Sequence, residues 1–220
     1  MNPNEPAATA SVPAPEARSP AAFIYLASAS PRRAELLRQI GIAFRPLVPE
    51  PHEEADAEAL EAFESGESPT KYVERVTLAK ALAARERLQR RGLEPAPILV
   101  ADTTVAVGGS ILAKPADDDD ARRMLGLLSG RTHRVLTAVA VVRNARVERA
   151  TNVSRVCVAR LSSKDIDDYV ASGESRGKAG AYAIQGRFAR FVRRIEGSHS
   201  GIMGLPLYET ARLLRADGQL

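Results

Sequence analysis

FIYLASASPRRAELLRQIG, residues 23 to 41, is the stretch whose reading decides the fold class. Phe23 to Ala27 is a short apolar run suited to a buried strand, and it stops at Ser28 and Ser30 before Pro31. A helix should begin there, because Ser30 is a good N-cap and Pro31 suits the first helical position. Leu36, Leu37 and Ile40 then form an apolar stripe that ends at Gly41. Strand, tight turn and helix in that order is a building unit of an α/β domain.

Outward from this unit the alternation continues. Phe44 to Val48 reads as a second strand, and Glu50 to Gly66 as an acidic, poorly periodic loop or short helix. Pro69 to Arg91 is helical, with Val73, Val76, Leu78, Ala79 and Leu82 dense enough to bury one face. Ile98 to Ala101 is a third buried strand that delivers Asp102 at its end, and Val105 to Leu112 is a tight strand pair around Gly108 and Gly109. Asp117 to Leu128 is a helix whose four aspartates suit the positive end of its dipole. His133 to Arg143 and Arg146 to Leu161 form a long hairpin around Asn144 and Ala145. Ser162 or Ser163 caps a helix through Val170, Gly173 to Gly186 is a structured glycine-rich loop, Phe191 to Ile195 is a short strand, and Pro206 starts a C-terminal helix. The expected fold is α/β, a mixed twisted sheet with helices on its faces, in one domain from residue 23 to 220. The Ala/Pro-rich residues 1 to 22 are expected to be a disordered tail.

Composition narrows the function classes. A chain of 220 residues with 45% hydrophobic side chains can bury a core without disulfides or metal. Cys157 is the single cysteine, so no intrachain disulfide forms, and its apolar surroundings predict a buried thiol. The first 22 residues lack the cationic start and apolar run of a secretory signal, and no run approaches the roughly 18 apolar residues of a membrane span, so cytoplasmic residence is expected. A formal charge of +4 favours anionic partners in general. Five lysines, Lys71, Lys80, Lys114, Lys164 and Lys178, persist in a chain that otherwise uses arginine.

Ser28-Ala29-Ser30-Pro31-Arg32-Arg33 gathers two hydroxyls, unpaired helix-start amides and two guanidinium groups around one turn, which suits a phosphate or, more blandly, a capped helix with solvated arginines. Asp102 and Thr103 follow a buried strand, where α/β sheets present polar groups to ligands. A carboxylate there suits Mg²⁺ or a water-activating base, as well as a simple turn. Glu53 and Glu54 are candidates to complete a metal site, and Lys80 and Lys114 candidates to neutralise phosphate. The run from Lys178 to Gly186 has small residues that let a flat ligand approach, and Gln185 offers both donor and acceptor. Gly126 to Thr132 fails as a P-loop, since the spacing is one residue short and Arg131 replaces lysine. His199 has no nucleophile elbow to serve, and His52 and His133 lack metal-ligand spacing.

In order along the chain, LASASPRRAELL (26–37), YVERVTLAKA (72–81), VADTTV (100–105), KP (114–115), SGRTHRVLTAVAV (129–141), YVASGESRGKAGAYAIQG (169–186) and GLPLYET (204–210) resemble the Maf family of nucleotide pyrophosphatases. The resemblance implies a fold related to inosine triphosphate pyrophosphatases, a deep cleft, a divalent cation (Mg²⁺ or Mn²⁺), and hydrolysis between the α and β phosphates. By motif it implies Asp102 as the residue that activates water, with Glu53 as metal or water partner. Ser28, Ser30, Arg32, Arg33, Lys80 and Lys114 would hold the triphosphate. Arg32, Thr103 and Gln185 look like the dTTP/UTP branch rather than the 7-methyl-GTP branch, and Gln185 can pair with the uracil edge. Ala29 and the RFAR run at 187–190 depart from the pattern, and the second bears on which pyrimidines fit. The alternatives are a 7-methyl-GTP pyrophosphatase and a non-enzymatic regulator of cell division that binds nucleotide or DNA. A homodimer is also implied, without a membrane or nucleic-acid partner.

Overall fold

The computed structural model describes residues 23–215, and the N-terminal segment expected to be a tail lies outside the described residues. Within them, seven strands form one sheet in the order β2-β1-β3-β5-β6-β7, with β4 attached to β3. The opening unit is β1 (Ile24–Leu26) followed by α1 (Pro31–Gln39). Strand β2 (Phe44–Pro46) lies parallel to β1, and β1 lies parallel to the start of β3 (Ile98–Val107). The hairpin of β5 (Thr132–Arg143) and β6 (Arg146–Val158) turns at Asn144, whose left-handed φ of 51° a short asparagine side chain tolerates. Strand β7 (Val192–Glu196) closes the far edge against β6.

Side-chain alternation along the central strands makes two layers. Leu99 and Ala101 of β3 and Val139 and Val141 of β5 pack against α1 and α7 (Leu207–Arg215) through Leu36, Leu37, Leu213 and Leu214. Their neighbours Ile98, Val100, Ala140 and Val142 face the opposite side, where Ala81 and Ala84 of α3 (Pro69–Arg90) cover them. A further cluster joins the distal ends of β3, β5 and β6 to α4 (Asp118–Leu128) and α5 (Ser163–Ala171) through Leu125, Leu128, Tyr169 and Phe188. Between the first and last clusters, on the α1 side of the sheet, Thr103 and Thr137 hydrogen-bond each other at 3.0 Å instead of packing apolar groups.

The largest difference from the sequence reading is in β3, which does not end at Ala101. It runs ten residues through Asp102, Thr103 and Thr104, because β5 pairs with it continuously from Ile98 to Ala106. Its other edge is interrupted: β1 pairs only with Ile98 and Leu99, and β4 (Ser110–Leu112) only with Val105 to Val107. Residues 100–104 therefore border a notch in the sheet. Acidic residues 50–66 hold a 3₁₀ turn (Pro51–Glu53) and a short α2 (Glu54–Ala59), in line with the short-helix alternative for this segment. A one-turn helix α6 (His199–Met203), which residue periodicity does not reveal, is capped by Ser198. Cys157 is partly exposed rather than buried, since it faces outward between buried Val156 and Val158.

Candidate active site

The notch in β3 is the floor of a cavity of about 770 Å³, a size typical of small-molecule sites. Its walls come from the turn before α1, from α3, from the segment after β4, and from residues 176–185. Ser28, Ser30, Arg32, Arg33, Lys80, Asp102, Thr103, Lys114 and Gln185 all line it, although they are spread over 158 positions from Ser28 to Gln185 counted inclusively.

Alternation along β3 sends Asp102 to the α3 side and Thr103 to the α1 side. On the α3 side, Lys80 Nζ donates to Asp102 Oδ1 at 2.6 Å and to Glu61 Oε1 at 2.7 Å. Lys114 Nζ reaches the other Glu61 oxygen at 3.2 Å. Burial alone would raise the Glu61 carboxyl, but Lys80 and Lys114 outweigh it and hold that group below the ordinary carboxylate range. Tyr72 donates to the Glu61 carbonyl at 3.0 Å and stacks on Phe63 at 4.7 Å, so the acidic segment is docked on α3. Burial, and then Asp102 and Glu61, push the Tyr72 hydroxyl up to about 12.

On the α1 side, Arg33 is a tie between elements. Its guanidinium donates to the Gly204 carbonyl at 2.8 Å, to Ser28 Oγ at 2.9 Å and to Thr103 Oγ1 at 3.4 Å. Thr137 Oγ1 extends the chain to the Gly201 carbonyl at 2.7 Å. Ser30 occupies the N-cap position of α1 without capping it; its backbone amide donates to Ser28 Oγ at 3.2 Å. Pro31 brings no donor, so the amides of Arg32 and Arg33 begin the helix without a side-chain cap.

The Maf-like protein family model matches residues 23–217. The chain belongs to the Maf family. Among its relatives, a dTTP/UTP pyrophosphatase of Polaromonas sp. is 60% identical over 196 residues, covering 89% of this chain and 96% of that protein. A dTTP/UTP pyrophosphatase of Cupriavidus metallidurans is 58% identical, with 89% and 97% covered, and one of Burkholderia pseudomallei is 59% identical, with 88% and 93% covered. Among solved structures, the Staphylococcus aureus Ham1 protein aligns at a TM-score of 0.45 and 13% identity, covering 88% of this chain and 96% of its own.

Glu53, expected to share a cation with Asp102, is not among the residues that line the cavity. Glu53 is buried at the far end of α3, where Arg87 donates to it at 3.1 Å, Arg91 at 2.8 Å, and Arg90 also bonds it. Positions 87, 90 and 91 share one helical face, and their mutual repulsion draws in a carboxylate. Burial, followed by Arg91, lowers the Arg87 guanidinium. Glu61, not Glu53, is the carboxylate linked to Asp102 through Lys80. The Glu54 side chain lies outside the described residues. Glu61, Tyr72 and Lys178 also line the cavity, and sequence reasoning passes over Glu61 because it is one of several acids in a segment without periodicity.

The cavity wall formed by residues 176–185 is pinned from behind. Tyr182 bonds buried His133 Nε2 at 2.7 Å, and the Ala183 amide donates to Tyr169 Oη at 3.0 Å. Gly186 abuts Glu174, whose Oε2 would lie 2.2 Å from any Cβ there, and that same oxygen accepts the Arg187 amide at 2.9 Å. Gln185 projects from this braced segment with its side chain exposed to the cavity. Among the described residues, no helix is long and apolar enough to cross a membrane.

Proposed function

We propose that this chain is a nucleoside triphosphate pyrophosphatase that hydrolyses dTTP and UTP to the monophosphate and pyrophosphate. The observation that carries the reading is the Lys80–Asp102 contact at the cavity floor: a carboxylate held at 2.6 Å by a lysine, in a cleft lined with cations. Relatives about 60% identical over nearly their whole length and named dTTP/UTP pyrophosphatases support it.

In this reading Asp102 takes a proton from water as the water oxygen bonds to the α phosphorus. The bond from the α phosphorus to the bridging oxygen breaks, and pyrophosphate leaves with the electron pair. Displacement of this type depends on positioning and electrostatics, so no covalent nucleophile is required. Arg33 fixes Ser28 and Thr103 with three of its five N–H donors spent on the protein, and the remaining two are left for phosphate oxygens. Ser30, Arg32 and the α1 amides bind phosphate oxygens, with Lys80 and Lys114 on the opposite side. Gln185 reads the pyrimidine edge with one donor and one acceptor.

Asp102 and Glu61 are the residues that would hold a divalent cation, in place of their present bonds to Lys80; among the described residues no group of three or more such ligands is gathered. Asp102 and Glu61 converge on Lys80 with oxygens only, and Mg²⁺ or Mn²⁺ commonly uses one or two carboxylates, with substrate phosphates supplying further ligands. When bound, the cation would neutralise phosphate charge. A homodimer belongs to the same proposal and is checked by light scattering.

The test is pyrophosphate release from dTTP, UTP, CTP, 7-methyl-GTP and ITP, with and without divalent metal. Selective, metal-dependent turnover of dTTP and UTP is expected. Inactivity across the panel would sink the reading.

A further inference from the structure

The cavity cations divide into two groups by what already satisfies them. Lys80 and Lys114 carry carboxylates, and Arg33 is hydrogen-bonded to three protein oxygens. Arg32 and Lys178 differ: both are half-buried, both line the cavity, and neither forms an ion pair among the described residues. The Lys178 ammonium bonds only the Arg176 carbonyl at 3.2 Å.

Lys178 is held in place by the fold rather than by a charge partner. It precedes the 3₁₀ turn Ala179–Ala181, in which the Gly180 amide donates to the Ala113 carbonyl at 3.1 Å. Gly180 has φ +69°, and a Cβ there would lie 2.9 Å from Val105 Cγ1, so the turn sits directly on β3. Glu174 acts on Lys178 only from a distance, since its carboxylate is engaged by the Arg187 amide. Burial, with Arg32 adding to it, lowers the Lys178 ammonium, so the two cations feel one another. Two half-buried like charges facing a common space destabilise each other until an anion neutralises both.

We propose that Lys178, together with Arg32, forms the subsite that grips the departing pyrophosphate, a role that extends the reading above and rests on it. The most highly charged part of a triphosphate goes where positive charge is least compensated. On the Lys80 side the Asp102 and Glu61 carboxylates already offset part of the positive charge. As the α–β bond breaks, negative charge builds on the leaving group, and Lys178 stabilises it there.

The experiment measures binding of inorganic pyrophosphate to the full chain by calorimetry, alongside steady-state kinetics with UTP. Lys178→Gln should weaken pyrophosphate binding about ten- to hundredfold, the loss expected for one charge-assisted hydrogen bond, and lower kcat/KM for UTP by a similar factor. Lys178→Arg should restore most of both, and Lys164→Gln, on α5, should change neither. Unaltered pyrophosphate affinity in folded Lys178→Gln, or no pyrophosphate binding by the wild-type chain, overturns the subsite. If the wild-type chain binds pyrophosphate through Lys178 yet hydrolyses no nucleotide, the subsite stands and the enzymatic reading fails.

Discussion

Glu53 and Glu61 lie eight residues apart in one acidic segment, and the fold gives them opposite employment. Glu53 is buried among Arg87, Arg90 and Arg91 and fastens the segment to the end of α3. Glu61 reaches the cavity and links Lys80 to Lys114. The lesson is that a carboxylate's role is set by what meets it in space. Helix α3 presents a triple guanidinium face at one end, and a single lysine opposite β3 in its middle.

Breaking the Asp102 side of this arrangement has the largest expected effect. Asp102→Asn should lower pyrophosphate release by about 10² to 10⁴-fold, the usual worth of a general base, while circular dichroism shows an intact fold. Near-normal turnover by the folded variant would remove Asp102 from the chemistry.

Parallel substitutions separate the two glutamates. Glu61→Gln should raise the divalent-metal concentration needed for half-maximal rate about tenfold, equivalent to ~1.4 kcal/mol of lost binding, with little change in Tm. Glu53→Gln should leave the metal requirement alone and destabilise the fold by about 3 kcal/mol, since it strands buried Arg87. In a chain of this size that is a fall of about 6 to 12 °C in Tm. Exchanged phenotypes would mean that Glu53, not Glu61, serves the site.

Recognition of the base is a finer matter. Gln185→Glu should reduce the preference for UTP over 7-methyl-GTP about tenfold, measured as the ratio of kcat/KM values, because it replaces an amide donor with a second acceptor. An unchanged ratio would locate base recognition elsewhere on the wall.

The smallest effect concerns the brace behind that wall. Burial holds the His133 imidazole at about 4, below its ordinary 6.5. The unfolded chain therefore binds the proton first, so this contribution to stability is complete above about pH 6.5 and is lost as pH falls toward 4. Denaturant melts across that window should show a shallower decline for His133→Gln than for the wild-type chain, and equal slopes would count against it.

Much of this architecture is legible in residue patterns, and the exceptions have physical causes. The β1–α1 unit, the long hairpin and α3 follow from apolar periodicity, with Pro31, Asn144 and Pro69 as local punctuation. Periodicity alone stops β3 at Ala101, because Asp102-Thr103-Thr104 is polar; the strand continues because β5 pairs along its whole length. That continuation makes the notch. The residues singled out from the turn at Ser28, from Lys80, from Asp102 and from Gln185 do converge on one cavity. What no local pattern reveals is charge pairing over long separations, such as Lys114 with Glu61 or Glu53 with the end of α3. Those contacts decide which cations remain open to a ligand.

The most direct measurement is hydrolysis of UTP in ¹⁸O-labelled water, with mass analysis of both products. Attack assisted by Asp102 at the α phosphorus places the label in UMP and none in pyrophosphate. Label in pyrophosphate, or release of orthophosphate in its place, would contradict the account.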